Sequence, residues 1–149
     1  KQAIVAIGRL YGVDIMNDNV LSCRERLFVI WDEEYTAHCK GDASDEAREA
    51  ARFIISRNVI NGNALTLMCV DDEGKDTSAP IVFSEWTLIS GTQMQRSDYT
   101  MSDLLTYNDN SVEDGMGNLF ALTEEEKEEG GIFLRRYITH YKKVQDYGE

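Results

Sequence analysis

Two hydrophobic spacings alternate along this chain, and together they limit it to a fold that combines helices with strands. In residues 45–57 the apolar side chains recur at helical spacing, at Ala47, Ala50, Ala51, Ile54 and Ile55. In residues 81–89 every second side chain would lie on the same face of a strand, and one such face consists of Val82, Ser84, Trp86 and Leu88. Because each period fits one kind of element, the sequence predicts an α+β fold.

Further strand-forming segments are rich in β-branched and aromatic side chains. Residues 27–31 and 35–39 flank an acidic turn and favour a β-hairpin. Residues 64–70 predict another strand, which we expect to pair antiparallel with residues 81–89. The predicted sheet is mixed or antiparallel and has about four to five strands.

Helices are expected at the N-terminus, in the middle and at the C-terminus. The first covers residues 2–12 and the second residues 45–57. A capping box of Thr123 and Glu126 begins the last helical region, whose apolar stripe covers residues 132–144. A chain of 149 residues can bury about two-thirds of its unfolded surface. No segment has the composition of a linker between domains, so we expect one α+β domain spanning residues 1–149.

The cysteines and the hydropathy pattern point to the cytoplasm. Cys23, Cys39 and Cys69 are an odd number without a C-x-x-C pair, which argues against a disulfide framework or a zinc ribbon. We expect each thiol to behave as a small buried hydrophobe. No apolar segment is long enough to cross a bilayer, so a soluble cytoplasmic protein is expected. Because the chain begins at Lys1, its amino terminus is expected to be trimmed or to belong to a longer protein.

Negative charge is concentrated in one part of the chain. The formal net charge is -12, and residues 98–129 contain ten acidic residues against Lys127 alone. Such a field repels phosphate backbones and anionic lipids, so direct binding of nucleic acid or membrane is not expected. The charge favours a protein partner, with a basic surface as the best match.

Common catalytic and cofactor motifs do not occur in the sequence. There is no G-x-S-x-G elbow, and Gly115-Met116-Gly117 lacks the lysine of a phosphate-binding loop. His38 and Cys39 would point to opposite faces of a strand, which disfavours a shared metal ion. Residues 71–76 and 109–115 are acidic enough to hold a divalent cation or to form plain solvated turns, but Ala121 stands where a calcium loop needs a bidentate Glu. We expect no cofactor, no metal and no catalytic residue.

The predicted partner-binding residues are nine carboxylates, all of them within residues 98–129, and the two tryptophans. Trp is enriched at interface hot spots, and carboxylates suit a basic partner. These residues are Asp98, Asp103, Asp109, Glu113, Asp114, Glu124, Glu125, Glu128, Glu129, Trp31 and Trp86.

Three functions remain open at this point. The sequence favours a small acidic binding or regulatory protein, such as an inhibitor, an adaptor or a chaperone-like protein, that acts through protein–protein contacts. One alternative is a DNA-mimic inhibitor of phage or mobile-element type, in which carboxylates of residues 98–129 stand in for phosphates. The other is a small hydrolase or transferase that uses Asp71, Asp72 or His38. A homodimer is left open.

Overall fold

The computed structural model describes residues 1–110 and 133–147, and in them it confirms the α+β class. The helices are α1 (Gln2–Ile7), α2 (Asn17–Cys39), α3 (Asp45–Asn58) and α4 (Met101–Asn110). The strands are β1 (Gly12–Asp14), β2 (Val59–Asn63), β3 (Met68–Val70), β4 (Asp76–Pro80), β5 (Val82–Ser90), β6 (Gln93–Thr100) and β7 (Phe133–His140). Short 3-10 helices cover Lys40–Asp42 and Val144–Tyr147.

The described strands form two sheets. The first has the order β1-β2-β3-β4, with β1 and β2 parallel and the other pairs antiparallel. The second is antiparallel with the order β5-β6-β7. The predicted pairing of residues 64–70 with 81–89 is wrong, because β3 pairs with β2 and β4 while β5 pairs with β6. Two sheets also replace the single sheet that was expected.

Helix α3 is the middle helix that the sequence predicts, and it forms the centre of the core. Its first turn is capped by Ser44, whose hydroxyl accepts a hydrogen bond from the Ala47 amide. Its buried side chains are Ala47, Ala50, Ala51, Ile54, Ile55 and Asn58. Because the alanines are small, α1 and α2 can approach closely, and β5 also packs against this helix. On the outer face Arg48 pairs with Asp45 at 2.9 Å, as the i, i+3 spacing predicts.

The predicted hairpin at residues 27–39 is wrong, because this segment belongs to the long helix α2. The buried side of α2 follows helical spacing and consists of Val20, Phe28, Trp31 and Tyr35. Val29 and Ile30 are the residues that made the segment resemble a strand, and they are 43% and 61% exposed. Packing of one helical face on the core has therefore overridden local β propensity.

The predicted C-terminal helix is also wrong over residues 133–140, which form β7. This strand pairs antiparallel with β6, so that Arg135 lies opposite Asp98 and Tyr137 opposite Arg96. Val144, predicted on the apolar stripe of that helix, is buried in the last 3-10 helix. The capping box at Thr123 and Glu126 lies outside the described residues.

The three cysteines carry free thiols and do not share one environment. Cys23 is exposed on α2, so the expectation of a buried side chain is wrong there, and Cys39 and Cys69 are partly buried. None of the described helices combines the length and the apolar content needed to cross a membrane.

Candidate functional site

A groove of about 640 Å³ lies between the end of α1 and strand β5. We call it the edge groove, and it is lined by Val5, Gly8, Arg9, Tyr11, Glu85, Trp86, Thr87 and Leu88. Strand β5 is at the edge of its sheet, since no described strand pairs with the side away from β6. The groove therefore combines a concave surface with a sheet edge that no described strand pairs with.

The floor of the edge groove is Trp86, held between two helices. Its ring meets Phe53 of α3 edge-to-face at 6.0 Å. On the other side α1 ends at Gly8, where an added Cβ would stand 3.0 Å from the Trp86 Cβ, so a larger residue there would crowd the tryptophan. Trp86 is 5% exposed, and no described residue accepts a hydrogen bond from its buried Nε1.

The alternation along β5 determines which backbone groups face α1. The amide of Ser84 donates to Asn58 Oδ1 at 3.1 Å, and its carbonyl accepts from the Tyr11 hydroxyl at 3.2 Å. Because backbone direction alternates along an antiparallel strand, the N–H and C=O of Trp86 face the same side as those of Ser84. No described residue bonds to these groups of Trp86, so they remain as pairing positions at the floor of the groove.

Tyr11 closes one end of the edge groove. Its ring meets Phe83 edge-to-face at 5.4 Å. Burial, and then the nearby Glu85 carboxylate, raise the pKa of Tyr11 well above its ordinary value. Arg9 is exposed at the rim, and Glu85 accepts a hydrogen bond from the Tyr99 hydroxyl at 3.1 Å. The groove is thus lined by both apolar and polar side chains, with one charge of each sign among them.

The raised pKa of Tyr11 predicts a specific loss of stability in alkali. In the unfolded chain the phenol ionises near its ordinary pKa of 10.0, whereas the folded chain keeps the proton to higher pH. The contribution of Tyr11 is therefore complete below pH 10 and is lost as the pH rises above it. We expect the free energy of unfolding of wild type to fall more steeply than that of Tyr11→Phe above this pH, by up to about 1.4 kcal/mol per pH unit. Urea denaturation between pH 8 and 11 measures both slopes, and equal slopes would contradict the assignment.

Beside the groove, a buried ion pair connects β6 to the neighbouring elements. Arg96 binds Asp98 through two hydrogen bonds, at 2.8 Å from Nε and 2.7 Å from a terminal nitrogen. The Ser84 hydroxyl donates to the same carboxylate at 2.6 Å, and the Tyr147 carbonyl accepts from Arg96 at 2.7 Å. The guanidinium also lies 4.9 Å from the centre of the Tyr137 ring. Asp98 and Arg96 are therefore satisfied inside the fold.

The structure separates the predicted partner-binding residues. Asp98 is 4% exposed and lies inside the fold rather than on the negative face that the sequence predicts for it. Trp31 is 8% exposed, stacks on Tyr35 at 4.7 Å and donates to the Ala3 carbonyl, so it is also interior. Trp86 forms the floor of the edge groove. Asp103 is exposed at the start of α4 and accepts a hydrogen bond from Thr100.

The remaining predicted carboxylates do not have described side chains. Asp109 lies in α4, but its side chain is outside the described part of the structure. Both the backbone and the side chains of the other six are outside it, namely those of Glu113, Asp114, Glu124, Glu125, Glu128 and Glu129. Their role in partner binding, and with it the DNA-mimic hypothesis, stays a prediction.

The candidate cation loop at residues 71–76 is built as a turn. The Asp71 carboxylate accepts from the amides of Glu73 and Lys75, both at 2.9 Å. Asp76 accepts from Asn63 on β2. Within residues 1–110 and 133–147 no three His, Cys, Asp or Glu side chains converge in a way that would hold a metal ion. The second candidate loop, at 109–115, lies almost entirely outside the described residues.

Sequence reasoning missed most of the edge groove. Only Trp86 was singled out among its lining residues, whereas Gly8, Arg9, Tyr11 and Glu85 were not. The pattern at residues 81–89 identified the strand, but nothing in the sequence shows that this strand is at an edge or that α1 ends beside it.

The described residues thus define an α+β protein with one mixed and one antiparallel sheet and a groove at a sheet edge. Comparison with protein-family models, with curated proteins and with solved structures finds no match for this chain. Its function is therefore inferred from its own geometry.

Proposed function

We propose that this chain is a small acidic binding or regulatory protein, an inhibitor, adaptor or chaperone-like protein, that acts through protein–protein contacts. The observation that supports this most directly is the edge groove, a concave surface along the side of β5 on which no strand of residues 1–110 or 133–147 pairs. Sheet edges of this kind bind extended peptide segments by adding a strand, with affinity from backbone hydrogen bonds and selectivity from side-chain pockets.

The size of the edge groove fits a short extended segment. Four consecutive strand residues, 85–88, line it, and at about 3.3 Å per residue they span about 13 Å. The floor offers apolar surface from Val5, Trp86 and Leu88, while Arg9 and Glu85 can orient polar side chains at the border. A bound segment of this length would be held by a few backbone hydrogen bonds and one or two apolar anchors.

Charge determines the kind of partner that approaches. Residues 1–97 alone contain 15 acidic and 10 basic residues, and the whole chain has a net charge of -12. A field of this sign raises the association rate of basic partners and suppresses acidic ones, and added salt screens it. We therefore propose a basic protein partner in the cytoplasm, where the three thiols remain reduced.

A variant whose edge groove is filled by a larger side chain tests whether peptides bind there. Random peptides displayed on phage are selected against the wild-type chain, and the enriched peptides are measured by fluorescence anisotropy. Thr87 is exposed on β5 and lines the groove, so Thr87→Arg should fill it and weaken these peptides by about tenfold or more. Ser78→Arg adds the same side chain to an exposed position of β4, and we expect it to leave the affinity unchanged.

Two results would contradict the proposal. One is that the peptides bind Thr87→Arg and Ser78→Arg equally well, which would remove the groove as their site. The other is that no peptide is enriched while light scattering shows wild type as a dimer and Thr87→Arg as a monomer. In that case the unpaired side of β5 serves self-association and not partner binding.

A further inference from the structure

Arg57, in the last turn of α3, has a guanidinium that no described residue satisfies fully. Its Nε is buried, and no described residue accepts a hydrogen bond from it. Asp98 is the described acidic group that it pairs with, at 3.7 Å from a terminal nitrogen, which is too far for a hydrogen bond. The Asp98 carboxylate is already engaged by Arg96 and Ser84. Native proteins seldom leave a buried donor of this kind without an acceptor, and a bound ion can supply the acceptor that the chain lacks.

A second arginine belongs to the strand that pairs with the strand of Asp98. Arg135 on β7 is registered directly across from Asp98 on β6, so both side chains are on the same face of the sheet. Arg135 is exposed and donates a long hydrogen bond of 3.4 Å to the Tyr137 hydroxyl. Burial, and then the Arg96 charge, lower the pKa of Arg57, and Arg135 acts in the same direction. Arg57 and Arg135 therefore repel each other, while the Asp98 carboxylate that attracts both is already hydrogen-bonded to Arg96.

Among the residues that the structure describes, the charges at this point do not balance. Arg57, Arg96 and Arg135 bring three positive charges to the single negative charge of Asp98. The surplus of two positive charges is unusual in a chain whose net charge is -12. None of the three arginines lines the edge groove, so this cluster is separate from the site proposed above.

We propose that Arg57 and Arg135 form an oxyanion site that takes a dianionic phosphate group, as a free phosphate ion or as a phosphate monoester. A guanidinium presents its donors as a planar fork that matches phosphate oxygens, and Arg57 brings an unused Nε as one of them. A dianion matches the surplus of two charges, whereas a monocarboxylate neutralises half of it. The long-range repulsion from the acidic chain is screened beyond about 8 Å at physiological ionic strength, so the local surplus determines binding.

Calorimetric titration at pH 7.5 and 0.15 M ionic strength tests the site with three probes. Inorganic phosphate and phosphoserine distinguish the free ion from the monoester, and acetate is the monoanionic control. We expect at least one of the two phosphates to bind about tenfold more tightly than acetate. Equal binding of acetate and both phosphates, or no heat from any of them, would overturn the proposal.

Substitutions of the two arginines test whether phosphate binds at this site. Arg57→Gln and Arg135→Gln should each weaken the phosphate probe by about tenfold, and Arg57→Lys should also weaken it, because the charge remains but the fork is lost. Arg57 has no hydrogen bond to another described residue, and Arg135 donates a long one at an exposed position, so these variants should keep the fold, which circular dichroism verifies. Arg9→Gln removes an exposed arginine at the edge groove and should leave phosphate affinity unchanged. Wild-type affinity in both Gln variants would overturn the proposal, and so would an equal loss in Arg9→Gln.

Discussion

Asp98→Ala should lower the free energy of unfolding by about 3–5 kcal/mol, because it leaves a buried guanidinium without its partner. Arg96 is 3% exposed, so water cannot replace the two hydrogen bonds that the carboxylate accepts from it. The Ser84 hydroxyl loses its acceptor in the same step. Urea denaturation followed by circular dichroism measures this change.

Asp72→Ala is the matched control for Asp98→Ala. Asp72 is an exposed carboxylate in the turn between β3 and β4, so its loss should change the free energy of unfolding by no more than about 0.5 kcal/mol. The double variant Arg96→Met with Asp98→Ala should recover part of the loss, because no unpaired charge then remains buried. Equal and small losses in Asp98→Ala and Asp72→Ala would show that the ion pair is open to solvent in solution.

The elements that sequence reasoning located correctly are those whose buried face is apolar. Helix α3 and strand β5 have apolar residues on the face that packs on the core, so their periods identify them. Helix α2 failed because its exposed face also contains apolar residues, Val29 and Ile30. With apolar residues on both sides, the helical period is weak and local β propensity dominates the prediction.

The sequence does not predict strand β6 because most of its buried side chains are polar, and it predicts a helix where β7 lies. Residues 94–99 are buried along β6, yet they include Gln95, Arg96, Ser97 and Asp98. Arg and Asp usually mark an exposed segment, so a sequence does not show that this pair is buried and that each side chain satisfies the other. The opposite charges two residues apart, at Arg96 and Asp98, were the available signal, because that spacing places both on one face of a strand.

The candidate site was predictable only at Trp86, and the reason is topological. Burial of an aromatic residue in a strand can be inferred from alternation, but a groove needs a second wall. That wall comes from Gly8 and Tyr11, about 75 residues away in the chain, and its place depends on how α1 packs on α3. The same holds for Arg57 and Arg135 of the proposed oxyanion site, because they belong to the end of α3 and to β7 and only the register of β7 with β6 relates Arg135 to Asp98.

Ile54→Ala should lower the free energy of unfolding by about 2–5 kcal/mol, since it opens a cavity at the centre of the core. Ile54 is 0% exposed on α3, the helix against which α1, α2 and β5 all pack. Ile54→Val removes one methylene and should cost about 0.5–1.5 kcal/mol, and Ile89→Ala, at a position 50% exposed on β5, should cost less than either.

The comparison of Ile54→Ala with Thr87→Arg separates the fold from the edge groove. Both walls of the groove pack on α3, so Ile54→Ala should loosen them and lower the thermal midpoint and peptide affinity together. Thr87→Arg changes an exposed side chain and should lower affinity while the thermal midpoint stays within a few degrees. If Ile54→Ala keeps wild-type stability, α3 is not the support of the groove. If Thr87→Arg loses stability as well as affinity, its effect on peptide binding belongs to the fold and not to the groove.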